Sequence, residues 1–428
     1  MTRILIATVG SRGDVQPYVA LAKGLRAAGH QPTIATCARF RDFVTDAGVA
    51  FEPLSDDILK LLDSDAGRTA MEESAGLLGM IRTSIALAKQ AGPINERLLA
   101  DVWRAAQNVE PGLVIYHPKA LAGPHVAEAM GVPAIEALPV PMVVPTGDFP
   151  VIGLPRLPLG RRYNRLTYSL VSAGYRQYEK MANRFRVDDL GLDPVKGAAM
   201  LTRTPDGAPI DVIHAISTQV LPRPADWPAH AHIGGYWFLD DDQGWTPPQE
   251  LVDFLDAGDP PVYVGFGSMA GRDPARITRE VVSALEQANV RGILATGWGG
   301  LDVDALPDSV LAITEAPHDW LFPRVSAVVH HGGAGTTAAG LRAGRPTVVC
   351  PFIIDQFFWG ARVEDLGAGP TPVPQRKLTA ERLAAAIREA TTDPAMRETT
   401  ARIGREIAAE DGVAEAIDRI EAVLARRG

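Results

Sequence analysis

The sequence predicts an α/β protein of two domains, each built on a parallel sheet with helices on its faces. Three observations carry that expectation. Short, continuous apolar runs rich in Val and Ile alternate with stretches of helical period, the pattern of strands buried on both faces between crossover helices. A strand-Gly-Ser unit opens the chain at Ile4 to Asp14 and returns at Val262 to Asp273, so the β-α rhythm begins twice. The 428 residues, at about 150 per domain, suffice for two or three cores.

Ile4 to Val9 reads as the first strand. The turn Gly10-Ser11-Arg12-Gly13-Asp14 follows, with Asp14 in the loop and its carboxylate free. Pro17 fits the first turn of a helix whose face is marked by Leu21 and Leu25 and which Gly29 ends. Thr33 to Thr36 and Ala50 to Leu54 are the next strands, with a short helix near Arg39 to Ala47 between them. Leu113 to Tyr116, Ala134 to Leu138 and Val212 to Ala215 continue the sheet. Arg161 to Arg186 differs. Tyr163, Leu166, Leu170, Gly174, Tyr178, Met181 and Phe185 recur there at helical spacing among seven basic residues. The segment reads as a solvated surface helix or helix pair, with peripheral membrane contact as the alternative. Pro222 to Pro248 loses periodicity and carries Asp240-Asp241-Asp242, which reads as a linker. A helix near Glu250 to Ala257, the strand within Pro261 to Ser268, and strands at Val328-Val329 and Thr347 to Cys350 then build a second Rossmann-like domain. In such folds ligands sit outside the carboxyl ends of the strands, so function is expected in the loops after strands and in a cleft between the domains.

Composition excludes several classes. Hydrophobic residues at 46% and charged residues at 22% fit neither a disordered nor a fibrous chain. A net charge of -9 opposes nucleic acid as the main partner, because phosphate contacts need a basic surface. Cys37 and Cys350 lie far apart in apolar strand-like runs, as buried thiols of a reducing compartment. Arg3 precedes only the six-residue run Ile4 to Val9, too short for a signal-peptide core or a membrane span, so a cytoplasmic location is expected. The oligomeric state is left open.

The strongest local signal is Val328-Val329-His330-His331-Gly332-Gly333-Ala334-Gly335-Thr336-Thr337. A strand runs into a Gly-rich turn, and Thr336 suits the cap of the next helix. Glycines admit a phosphate close to the backbone, and free N–H groups at a helix start carry partial positive charge. This reads as a diphosphate cradle. It lacks the Lys of a P-loop and the spacing of the dinucleotide fingerprint, and His330 and His331, as strand neighbours on opposite faces, do not suit a metal. Gly265-Phe266-Gly267-Ser268 offers a second set of donors. Asp355 and Gln356, after the strand Thr347 to Cys350, offer a carboxylate and an amide for sugar hydroxyls, or alternatively a helix cap.

These runs, in this order and spacing, resemble the family 1 nucleotide-sugar-dependent glycosyltransferases, most closely the bacterial natural-product and sterol glucosyltransferase branch. The resemblance covers nearly the whole chain. It implies the GT-B fold, two facing Rossmann-like domains with an inter-domain cleft, arranged as an acceptor domain 1–221, a linker 222–248, a donor domain 249–411 and a C-terminal helix 412–428 that packs back towards the first domain. It also implies inverting transfer without metal or cofactor, the co-substrate being UDP-glucose or a TDP-sugar. A Gln at the place of Gln356 goes with glucose in plant relatives. Carried over position by position, Asp14 is the base for the acceptor hydroxyl. Ser268, His331, Gly332, Gly333, Ala334, Gly335 and Thr336 face the diphosphate, and Asp355 and Gln356 the sugar. The Trp that opens the plant donor signature is absent, Glu315 standing before Ala316-Pro317-His318, so Trp298 is the substitute stack for the base, or else a packing residue. Ser11, Arg12, Pro141 and Met142 are assigned to the acceptor, the last two within the apolar run Ala137 to Pro145. Plant members pair a catalytic His with an Asp. Here Asp14 and His117 stand with the types exchanged, so His117 is expected to orient Asp14 or relay its proton, or simply to line the pocket. The acceptor class implied is a sterol, polyketide, flavonoid or glycolipid precursor. A sugar-nucleotide epimerase and a non-catalytic nucleotide-sugar-binding protein are the alternatives, and Asp14 argues against the latter.

Overall fold

The structure, a computed structural model, describes residues 1–63, 77–197, 202–204, 206–240, 245–267, 273–297 and 306–426. The chain divides into two compact units, 1–239 with 410–428, and 240–409.

The first unit holds seven strands, β1 Arg3–Ala7, β2 Gln31–Cys37, β3 Ala50–Leu54, β4 Leu113–Tyr116, β5 Ala134–Leu138, β6 Asp211–His214 and β7 Ala231–Ile233. They lie in the order β3-β2-β1-β4-β5-β6-β7, all parallel. Apart from Arg3, the residues of β1, β4 and β5 are buried, which is why these runs are apolar without alternation. The second unit holds β8 Val262–Gly265, β9 Gly292–Ala295, β10 Val310–Ile313, β11 Ala327–His330 and β12 Thr347–Val349, again parallel, in the order β10-β9-β8-β11-β12. In both sheets the strand order reverses beside the first strand, at β1/β4 and at β8/β11. Loops leaving the two strands at such a point diverge to opposite faces and open a crevice between them.

The last helix, Gly412–Ala425, belongs to the first unit. It lies on the helix Arg12–Ala27, where a Cβ on Gly24 would overlap Val413, and the Trp237 indole donates to the Gly412 carbonyl at 3.1 Å. Both cysteines are free and buried.

Four local expectations are corrected. Helix Arg12–Ala27 begins at Arg12, so Asp14 sits in its first turn rather than in the loop, and Pro17 is inside the helix. The 222–248 stretch is structured in part: it supplies β7, and Trp227 and Trp237 are buried, Trp227 stacked on His214 at 4.4 Å. Three-residue strands and single anchoring tryptophans leave no periodicity to read. Strand β10, four residues of which three are only half-buried, shows no clear pattern either. The 161–186 segment forms three consecutive helices, Gly160–Thr167, Ser169–Arg176 and Glu179–Asp188, and its apolar residues do not share one inward stripe: Phe185 is buried, whereas Leu166 and Leu170 face solvent.

Candidate active site

In the first unit the β1/β4 switch point gathers Asp14, His117 and Lys119. Ser11 is the N-cap of helix Arg12–Ala27, and Asp14 reaches back to it as the third residue of a capping box. Its Oδ2 accepts from the Ser11 N–H at 2.8 Å and from the Ser11 hydroxyl at 3.1 Å. The carboxylate passes so close to Gly10 that a Cβ there would overlap it, and Gly10 has φ +143°, open to glycine. Oδ1 accepts from Lys119 Nζ at 2.7 Å, and His117 Nε2 lies 3.6 Å away. The Asp14 carboxylate is therefore not free, as the sequence suggested, but held on both oxygens, with 17% of the side chain exposed.

Burial alone would push this carboxyl up, but the Lys119 ammonium, the His117 ring and the hydrogen bonds from Lys119 and Ser11 together hold it below the usual carboxylate value. For His117 burial comes first, Lys119 adds repulsion, and Asp14 opposes only partly, so the imidazole falls to about 3 and is neutral at neutral pH. Its Nδ1 accepts the Lys119 backbone N–H at 3.1 Å, which leaves the ring proton on Nε2, facing Asp14. A ring in that state orients a carboxylate; it has no vacant nitrogen towards it to take a proton. Beside Lys119 lies a small apolar hollow lined by Val9, Leu98, Leu99, Val102 and Leu121.

Lys119 was not anticipated. Tyr116-His117-Pro118-Lys119 leaves the end of β4, and only the pairing of β4 with β1 brings this lysine to the turn after β1. Once that pairing is assumed, any cation in the few residues after Tyr116 becomes a candidate.

Of the acceptor residues, Ser11 has its hydroxyl engaged by Asp14. Arg12 donates to Gln16 at 3.1 Å and lies over the Phe43 ring at 4.9 Å. Pro141 is buried and Met142 half-buried after β5.

In the second unit the β8/β11 switch point holds the Gly-rich turn. β11 ends at His330, and the helix Ala334–Arg342 starts from Gly333 as its cap; Thr336 is its third residue, not its cap. Gly332 has φ +94°, and a Cβ there would meet the Gln356 carbonyl at 3.0 Å. A Cβ on Gly333 would come within 2.6 Å of His331 Nε2, so the missing side chain is what lets the imidazole lie over the helix start. The N–H groups of Ala334, Gly335 and Thr336 have no acceptor within the helix. Thr337 spends its hydroxyl on the Gly333 carbonyl at 2.9 Å. Burial lowers His331 to about 4, and its Nδ1 is buried with no partner among the described residues. The turn thus presents a neutral imidazole with an unspent nitrogen beside a row of open amide donors, a set suited to an anion.

Asp355 opens the helix Asp355–Asp365 directly after Ile354, whose φ of +38° is strained for a β-branched residue. Gln356 is buried, and its side-chain oxygen accepts from Phe352 N–H at 2.8 Å and Ile353 N–H at 3.1 Å. Its side-chain carbonyl therefore shapes the loop, and among the described residues the NH2 end has no acceptor, which suits it to a ligand. Ser268 and Trp298 lie outside the described residues; Gly267 and Gly297, just before them, have left-handed φ of +58° and +47°. Among the described residues no group of His, Cys, Asp and Glu is placed to hold a metal ion, and no helix is long and apolar enough to cross a membrane.

Comparison with known proteins matches both units. Residues 4–144 match the glycosyltransferase family 28 N-terminal domain, and residues 280–423 the erythromycin biosynthesis protein CIII-like C-terminal domain. The structure resembles the glycotransferase of kitacinnamycin, with a TM-score of 0.72 at 21% identity over 98% of both chains, and the glycosyltransferase VinC in complex with DTDP, with a TM-score of 0.71 at 19% identity over 99% of this chain and 100% of that one. The chain has the GT-B fold of these solved glycosyltransferases, and both of its units resemble family-1-like members. Within that class it is similar to the sterol 3-beta-glucosyltransferases of Emericella nidulans, 39% identical, and Aspergillus terreus, 38% identical, each over 98% of this chain. The chain spans about 30% of the length of these two relatives.

Proposed function

We propose that this chain moves glucose from UDP-glucose or a TDP-sugar to a hydroxyl of a lipophilic small molecule, a sterol first among the candidates, with inversion at the sugar carbon. The observation that carries the reading is Asp14, an ionised and oriented carboxylate at the switch point of the first unit. The fungal relatives carry sterol glucosyltransferase names, and VinC was solved with DTDP.

In this reading the acceptor oxygen bonds to the anomeric carbon while its proton passes to Asp14. The bond from that carbon to the diphosphate breaks, and its electron pair leaves with the phosphate. A carboxylate held below its ordinary range is a weak base, so its proton arrives late, as the new C–O bond forms. His117 acts as a positioning residue through its Nε2–H. The amides of Ala334, Gly335 and Thr336, with His331, meet the charge on the departing diphosphate. Asp355 and the amide end of Gln356 hold sugar hydroxyls, and Ser268 and Trp298 complete the donor contacts. Pro141 and Met142, after β5, line the side that receives the apolar acceptor. No metal or cofactor is needed, and a cytoplasmic location fits the two buried thiols.

Product formation from UDP-glucose and a sterol, followed by mass detection, tests the reading. Asp14→Asn should lose about 10^2- to 10^4-fold in turnover with UDP affinity unchanged. His331→Ala should weaken UDP by roughly 1–3 kcal/mol in calorimetry. Full turnover in the first variant, or unaltered UDP binding in the second, would overturn the assignment.

A further inference from the structure

One stretch of this acidic chain combines positive charge with exposed apolar side chains. From 149 to 178 there is no Asp or Glu and there are five arginines, against a net charge of -9 for the whole. Eight large hydrophobic side chains are exposed among the described residues, and four of them fall here: Leu157 at 45%, Leu159 at 61%, Leu166 at 70% and Leu170 at 46%. Scattered exposed leucines need no explanation, but half of the large exposed hydrophobics among the described residues falling within fourteen positions does.

The backbone puts these side chains in register. Tyr168, between helices Gly160–Thr167 and Ser169–Arg176, keeps helical dihedrals, so residues four apart across the junction still follow one another on one face. Exposed positions recur at 162, 166, 170, 173 and 176. That face reads Arg162, Leu166, Leu170, Ala173, Arg176, while the opposite side buries Thr167 and Tyr168. Asp226 anchors the helix to its unit through Arg161 at 3.3 Å and Arg165 at 3.5 Å, and Arg161 also pairs with Asp148. Arg162 and Arg176 form no ion pair among the described residues.

We infer that this face docks on the surface of an anionic phospholipid bilayer, the leucines entering the acyl boundary and Arg162 and Arg176 meeting lipid phosphates. Charge complementarity selects that occupant: a second copy would set Arg162 and Arg176 against like charges, and a neutral bilayer would leave these arginines unused. The inference goes beyond the transfer reaction, and supplies a place where a lipophilic acceptor is concentrated.

Flotation with vesicles of phosphatidylcholine alone, and with about a third of the lipid replaced by phosphatidylglycerol, tests it without donor or acceptor, so a failure here leaves the transfer reading standing. The chain should float with the anionic vesicles, less so as salt rises. Arg162→Gln with Arg176→Gln should cut partitioning about thirty-fold, about 1 kcal/mol for each arginine. Leu166→Ser with Leu170→Ser should remove the salt-resistant remainder. All four side chains are exposed, so circular dichroism and transfer to a water-soluble phenolic acceptor should be unchanged. No flotation, equal flotation on both vesicles, or variants that float like the parent would overturn the proposal. So would a dimer in sedimentation that the leucine variants dissolve, which would give the face to a second copy.

Discussion

A carboxylate that serves as a base has to be ionised, aimed and reachable, and at Asp14 these tasks fall to different neighbours. Ser11 aims Oδ2, His117 faces Oδ1, and Lys119 keeps the group charged against a burial that favours the neutral acid. Replacing Lys119 with Met removes the cation and leaves the burial, so the Asp14 carboxyl should rise. The acid limb of the pH profile of kcat/KM should then move to higher pH. A limb at its original position would mean that Lys119 does not govern Asp14. Asp14 itself was legible in the sequence because its signature, Gly10 to Asp14, is contiguous. Lys119 lies 105 residues away, and nothing local marks it.

Among the elements, the C-terminal helix depends on an approach that no side chain could share. A Cβ on Gly412 would overlap the Gly235 carbonyl group and the Tyr236 oxygen, which are backbone and cannot rotate away. Gly412→Ala should therefore cost about 1–3 kcal/mol. Gly174→Ala, a helical glycine with nothing within 4 Å, should be neutral or slightly stabilising. Thermal melting of the two variants side by side separates a steric requirement from loss of glycine flexibility; equal melting temperatures would refute the close approach. Gly412 was legible as a helix start, and its partner Gly235 was not, lying in a stretch that reads as linker.

For the whole molecule, the buried histidines set the response to acid. His117 and His125 are lowered to about 3, His214 and His331 to about 4, each by burial first, and burial holds His330 well below its ordinary value too. Each is neutral in the fold and binds a proton once unfolded, below about 6.5. Their stabilisation is complete above that pH and is lost as pH falls towards the folded values. Glu136 opposes them: burial raises it to about 8, so its contribution is present in acid and is lost as pH rises through about 8. Five histidines outweigh one carboxyl, so unfolding near pH 5.5 should take up roughly three to four protons. Calorimetry should find the melting temperature falling from neutral pH towards pH 5. A flat profile would contradict the buried neutral histidines.

The sequence by itself determined the strands that are apolar on both faces, the two β-α starts, the Gly-rich turn at His331 and the glycine turn after β1 that precedes Asp14, because each is written in neighbouring residues obeying short-range rules of burial and backbone freedom. The tertiary structure alone decided that Lys119 joins His117 at Asp14, that Gln356 spends its carbonyl on the loop before it, and that Leu166 and Leu170 face outward. Those outcomes depend on which strands pair and which helix faces find a core. Strand order is set by the burial of whole sheets, and no stretch of neighbouring residues encodes it.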